Sequence, residues 1–322
     1  MRHLDLLIQA EGAFDADAHR TMPSLLKLMR RGVSHPAARG LSEAICRSLG
    51  IQKQLDWPIA ALSAQTDALN RDICHADAYW LRLDPIHLDV GMRGMFARSM
   101  ALSNEESSEF NEVLAALLAP LLSEHERGFG LNFCAGRQGA YVRLQSAPNL
   151  CTTPLDEVDG RQPTAFLPSG ADAKTWLWLL NEVQIGLHTH PLNDLRATRG
   201  HPPINGLWIW GGGVMQTVSS AIKAVYCNDV PAWLHHTADA CGLAIHDSPR
   251  DLNTLIKSSA SSPVMAVIDA SEATPSILEK NWFSPLLGAL CWGQLGSVTL
   301  TLLHDDAQSV TLKPQQAWRI WK

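Results

Sequence analysis

One stretch of this chain gathers a histidine, two asparagines and two arginines: His190-Pro191-x-Asn193, Arg196, Arg199 and Asn205, with Trp208 just beyond. Guanidinium groups pair with phosphate or carboxylate oxygens through parallel hydrogen bonds, amides fix hydroxyls or main chain, and an imidazole donates at neutral pH. The set therefore suits a pocket for a phosphorylated or carboxylated small molecule. It equally suits local work, with Asn193 and Asn205 as caps or turns, Arg196 and Arg199 as solvated charges, and Trp208 as core filler. His188 and His190 with His201 have the chemistry of transition-metal ligands, but no Cys or carboxylate stands at a usual ligand spacing from them.

Other chemistry-bearing residues are more scattered. Asp84, His87 and Asp89 resemble a metal cluster, yet Pro85 and the turn residues around Gly91 favour capping and loop roles. Asp269 closes the apolar run Val264–Ile268, where an α/β protein places a ligand at a strand's carboxyl end. His304 and Asp305 end another strand and suit either ligation or a hairpin turn. The 7 cysteines lack a C-x-x-C pair, which fits reduced thiols with none marked as a nucleophile.

These residues need elements to hold them. Ser169 with Asp172 resembles a capping box, and Trp176, Leu179, Leu180, Val183 and Leu187 recur at helical spacing, which predicts a helix from about Ala171 to Leu187. Asn181, Gln184 and His188 form a polar stripe on it. Pro191 forces a turn at His190, Gly200 stops the next segment, and Leu207 to Trp210 form a short run suited to a strand covered on both faces. Gly211, Gly212 and Gly213 then permit close backbone approach, so a binding crevice is expected at residues 169–213.

Elsewhere, Leu4 to Ile8 reads as a strand and Pro23 opens a helix that Gly32 ends. From Tyr79 to Leu150 the texture changes to short strands around a helix at Asn104 to Ala119. The expected organisation is α/β, with residues 1–78 and 151–322 forming the core and 79–150 a small α+β insertion. Leu278 to Leu290 is expected to be helical despite Pro285, and Ser297 to Leu303 pairs with Val310 to Leu312 as a hairpin.

The 322 residues can bury a large core. A formal charge of -6 without a basic tract removes the electrostatic case for nucleic acid. No apolar run reaches the roughly 18 residues a spanning helix needs, and the N-terminus lacks the order of a signal peptide, so no membrane partner and a cytoplasmic location are expected.

The pattern His190-Pro191-x-Asn193, Arg196, Gly200, Pro203-x-Asn205, Trp208, Trp210 and Gly211 resembles a segment of archaeal-type cofactor-independent phosphoglycerate mutases, and more closely the offshoot of RpfE-type regulatory proteins. Thr21-Met22-Pro23-Ser24-Leu25 also looks like the Thr-Pro helix that follows strand one of that superfamily. The resemblance implies an alkaline-phosphatase-like core: a mostly parallel sheet flanked by helices. It also implies two divalent metals held by Asp and His, with a Ser or Thr nucleophile. Here Gln9-Ala10-Glu11-Gly12 stands where the acidic ligand is expected, and His304-Asp305-Asp306-Ala307 where an Asp-His pair and hydroxyl are expected.

The favoured expectation is thus a degenerate mutase relative, a pseudoenzyme that needs no cofactor and binds a phosphorylated metabolite or a protein partner in a regulatory role. His190, Asn193, Arg196, Arg199, Asn205 and Trp208 are its expected ligand contacts. The alternative is an active mutase or phosphatase using Mn or Zn, with Glu11, Asp269, His304 and Asp305 as substitute ligands. A third reading is a structural interaction module that docks a partner through an exposed aromatic patch.

Overall fold

A computed structural model describes residues 3–9, 21–68, 77–124, 131–259, 262–271, 273–303 and 307–318. In chain order the elements begin with β1 (His3–Gln9), α1 (Pro23–Arg31), β2 (Val33–His35), α2 (Leu41–Leu49) and α3 (Ile59–Asp67). There follow β3 (Tyr79–Gly91), β4 (Gly94–Ser99), α4 (Asn104–Glu124), β5 (Asn132–Ala135), β6 (Ala140–Leu144), α5 (Ala173–His188), α6 (Pro191–Thr198) and β7 (Gly206–Val214). The last part contains β8 (Ala224–Tyr226), α7 (Ala232–Cys241), β9 (Ala244–His246), α8 (Leu252–Ser258), β10 (Val264–Asp269), α9 (Pro275–Leu278), α10 (Ser284–Cys291), β11 (Ser297–Leu303), β12 (Gln308–Leu312) and α11 (Pro314–Ala317). Two compact units result, one from residues 1–51, 218–230 and 241–322, the other from 52–217 and 231–240.

The first unit is α/β. Its 7-stranded sheet has the order β2-β12-β11-β1-β10-β8-β9, in which β11, β1, β10, β8 and β9 run parallel while β12 and β2 form an antiparallel edge. Both faces of β1 are covered, which is why Leu4, Leu6, Leu7 and Ile8 read as an almost unbroken apolar run. Leu4, Leu6 and Ile8 share a core with Val264, Ala266, Ile268, Val298, Leu300 and Leu302 of the neighbouring strands. Leu25 and Leu28 of α1, Leu252 and Leu255 of α8, and Phe283, Leu286 and Leu290 complete it. The helix expected over residues 278–290 is present but interrupted: a π turn at Glu279–Phe283 joins α9 to α10, placing Pro285 in the first turn of α10, where a missing N–H is harmless.

The second unit is α+β, built on an antiparallel 5-stranded sheet in which β4-β3-β6-β5 are ordered together and β7 pairs with β3. One face packs on Phe110, Leu114 and Leu118 of α4 and Trp176, Leu179, Val183 and Leu187 of α5. On the other, Ala60, Ala61 and Ala64 of α3 meet Trp80 and Tyr141, whose rings stand edge to face at 6.3 Å.

This unit is wider than residues 79–150. The run Leu207 to Trp210 is covered on both faces, as expected, but it belongs to the antiparallel sheet, because β7 runs along β3 from Gly206↔Ile86 to Val214↔Tyr79. Its glycines lie inside the strand: Gly211 has φ +74 beside a break in register at Trp80/Arg82, a conformation that favours glycine. Residues 169–213 therefore form no strand-end crevice of the parallel sheet. The stripe Asn181, Gln184 and His188 faces solvent. Among the described residues, no helix is long and apolar enough to cross a membrane.

Candidate functional site

The corner after α5 is built by hydrogen bonds to its own backbone. His190 is extended (φ -76, ψ 136) and its Nδ1 accepts the Leu192 N–H at 3.2 Å, so it caps α6 ahead of Pro191. Asn193 Nδ2 donates to the carbonyls of Leu187 at 2.9 Å and Ile204 at 3.0 Å, while its Oδ1 accepts the Ile204 N–H at 2.8 Å. Asn205 brackets Leu88 of β3 in the same fashion, accepting its N–H at 2.6 Å and donating to its carbonyl at 3.0 Å. Trp208 Nε1 donates to the Thr153 carbonyl at 2.8 Å. These amide and indole groups act as substitute main chain, joining segments that have no ladder of their own.

Arg196 is 3% exposed, with Nε donating to the Pro202 carbonyl at 2.9 Å and Nη1 to Glu106 Oε1 at 2.6 Å. His201 Nδ1 lies 2.9 Å from the same oxygen. The Ser103 N–H first, then His201 and Arg196, pull the Glu106 carboxyl down to about 2. Arg199 is exposed and meets Glu109 at 3.7 Å. Of the six expected ligand contacts, five have polar atoms committed to the fold, and only Arg199 presents its charge outward. Residue types suited to recognition chemistry are here spent on hydrogen bonds within the fold.

The carboxyl end of the parallel sheet is the second candidate. Gln9, Asp269 and Leu303 lie in one register row at the ends of β1, β10 and β11. The Ala270 N–H donates to the Gln9 carbonyl at 2.7 Å, and the exposed Asp269 accepts the Ser271 N–H at 2.9 Å. Glu11, His304 and Asp305 lie outside the described residues. Two divalent ions need several converging carboxylates and imidazoles. This row offers an amide, one carboxylate and an isobutyl group, and among the described residues no three His, Cys, Asp or Glu side chains group to hold a metal ion. The described residues do not fit a two-metal centre.

The thiols are likewise held protonated where they respond to their surroundings. Burial, and then Asp229, pushes Cys227 up to about 11, while burial followed by Asp56 raises the exposed Cys151.

A third cluster escaped the sequence reading. Asp84 is neither a cap nor a loop residue but lies within β3, where it accepts from Arg82 Nε at 2.8 Å and Trp210 Nε1 at 2.6 Å. His87 and Asp89 also lie within that strand, with His87 Nδ1 2.9 Å from the Pro203 carbonyl. Pro85 falls where the neighbours of β3 change from β6 to β4, so its missing N–H breaks no ladder on that side. Arg82 Nη1 donates to the Tyr141 hydroxyl at 2.8 Å, and that hydroxyl donates to Asp67 Oδ2 at 2.7 Å. Burial opposes the Arg82 charge, but Asp84, Tyr141 and Asp67 more than offset it. The available signal was a charged pair at i, i+2 within the apolar run Tyr79 to Ile86, which a strand places on one face.

Fold and site together define an α/β protein with a mostly parallel sheet in one unit and an antiparallel sheet in the other. No family model matches the chain. Curated relatives do. The 2,3-bisphosphoglycerate-independent phosphoglycerate mutase of Methanosarcina mazei is 32% identical over 73 residues, 23% of this chain and 18% of that protein. The enzyme of the same name from Methanothrix thermoacetophila is 29% identical over 158 residues, 49% of this chain and 35% of that one. Part of this sequence is thus related to the cofactor-independent phosphoglycerate mutases, although the matches span well under two thirds of those relatives' length. Among solved structures, the cofactor-independent phosphoglycerate mutase of Thermoplasma acidophilum covers 97% of this chain and 90% of its own, with TM-score 0.41 and 15% identity. The PH0037 protein of Pyrococcus horikoshii gives TM-score 0.44 at 12% identity, covering 97% of this chain and 87% of its own.

Proposed function

We propose that this chain is a degenerate phosphoglycerate-mutase-like protein that binds a phosphorylated metabolite in a regulatory role, without two-metal phosphoryl transfer. The supporting observation is the row at the carboxyl edge of the parallel sheet. Gln9 stands between Leu303 and Asp269, the one carboxylate of that row among the described residues, where a pair of cations would need charged ligands from several strands. Such an edge is where open α/β sheets receive ligands. Gln9 and Ser271 offer neutral hydrogen-bond donors there, suited to phosphate oxygens. The corner around Arg196 serves this reading as scaffold, and Arg199 is the corner residue still able to meet an anion.

The competing reading is a Mn- or Zn-dependent mutase or phosphatase that draws on Glu11, His304 and Asp305 beside Asp269. Calorimetry with 3-phosphoglycerate in the presence of EDTA, run beside a mutase assay in Mn2+, separates the two. Binding that persists in EDTA without turnover is expected. Metal-dependent turnover abolished by EDTA and by Glu11→Ala would overturn the proposal in favour of the enzyme. Absence of binding and turnover would leave a protein-docking role as the surviving alternative, and Trp292 (80% exposed) and Trp318 (59%) of the first unit are the aromatic surface it would use.

A further inference from the structure

Helix α7 lies between β8 and β9 in the chain, yet residues 231–240 belong to the second unit and meet the end of α3. Two polar contacts lie there among the described residues. Thr66 Oγ1 donates to the His236 carbonyl at 3.1 Å, and His236 Nε2 lies 3.2 Å from Asp67 Oδ1 without the alignment of a hydrogen bond. Asp67 is fully buried and already has donors: the N–H groups of Arg137 and Gln138, each at 2.9 Å, and the Tyr141 hydroxyl at 2.7 Å. The space around it is equally committed, since a Cβ on Gly136 would collide with the Asp67 carboxylate. The imidazole is itself 12% exposed, so it faces a carboxylate that is occupied, with little water at hand.

We infer that α7 is an acid-released clasp on the second unit, with His236 as the group whose protonation loosens it. Among the described residues, the charged and titratable groups facing His236 are Asp67 of α3, Arg82 of β3, and His235 and Asp239 of its own helix. Burial is the largest influence and disfavours the imidazolium, as do Arg82 and His235; Asp67 and Asp239 act the other way without prevailing. The folded protein therefore prefers the neutral ring. Its contribution is complete above the ordinary value of 6.5 and is lost as the pH falls below it, so acid weakens the hold on α7.

Hydrogen exchange of the whole protein, corrected for intrinsic rates, tests this at about pH 7.5 and about pH 5.5. Amides of residues 231–241 should lose protection at the lower pH by up to roughly tenfold, while β1, β10 and β11 keep theirs. His236→Gln should remove the pH dependence in α7 without altering those strands. A histidine NMR titration of the wild-type protein supplies a readout independent of any variant's folding, with His236 expected to titrate below 6.5. Unchanged or increased protection of α7 in acid, or a His236 titration above 6.5, would overturn the inference.

Discussion

The corner of the second unit and the carboxyl edge of the first both carry polar side chains and use them in opposite ways. In the corner, the amides of Asn193 and Asn205 and the Nε of Arg196 bind main-chain groups, and Arg196 Nη1 is paired with Glu106. At the edge, Asp269 stands in solvent and accepts one local N–H. A buried guanidinium must be paired because leaving it bare in a low dielectric is prohibitive, whereas a carboxylate at a strand end keeps its water. Residue type alone therefore does not distinguish a ligand contact from a structural tie; burial does.

The comparison can be broken most directly at Arg196. Arg196→Ala strands the Glu106 carboxyl against the corner and should reduce stability by about 3 kcal/mol, measured by urea unfolding, because one member of a buried pair is removed. A variant that kept full stability but lost 3-phosphoglycerate binding would return Arg196 to the ligand site. Asn193→Ala should follow at roughly 2 kcal/mol, since main-chain groups at Leu187 and Ile204 lose their partners.

A pH series sharpens the same contrast. The folded-state value of Glu106, about 2, lies below the unfolded value of 4.5. The stability it contributes is fully present above 4.5 and lost as the pH falls through that window toward about 2. Unfolding free energies measured from pH 6 downward should show this slope in the native chain, and Glu106→Gln should flatten it. The smallest changes are expected at the solvated positions. Asp269→Asn and Arg199→Ala should each alter stability by less than about 1 kcal/mol in urea titrations. Asp269→Asn should tighten phosphate binding at the edge by removing a like charge; weaker binding would mean that the carboxylate works through a cation.

Much of the fold was legible. The strands at His3–Gln9, Val264–Asp269 and Ser297–Leu303, and the helix Ala173–His188, follow from apolar runs and spacing that one-dimensional patterns record well. The width of the second unit was not, because the pairing of β7 with β3 joins residues more than a hundred positions apart. An apolar run covered on both faces looks the same in a parallel and an antiparallel sheet. The cluster of Asp67, Arg82, Tyr141 and His236 was hidden for the same reason: each member comes from a different element.

By itself the sequence determined many of the strands and helices, that the chain would be α/β with an α+β part, and that the end of strand one carries Gln9 rather than a carboxylate. Those are local properties, set by side-chain periodicity and by chain order. Tertiary structure alone decided which polar side chains face water. Arg196 within α6 and Arg199 at its end are three residues apart and both meet carboxylates of α4, yet Arg196 is enclosed against Glu106 while Arg199 stays exposed beside Glu109.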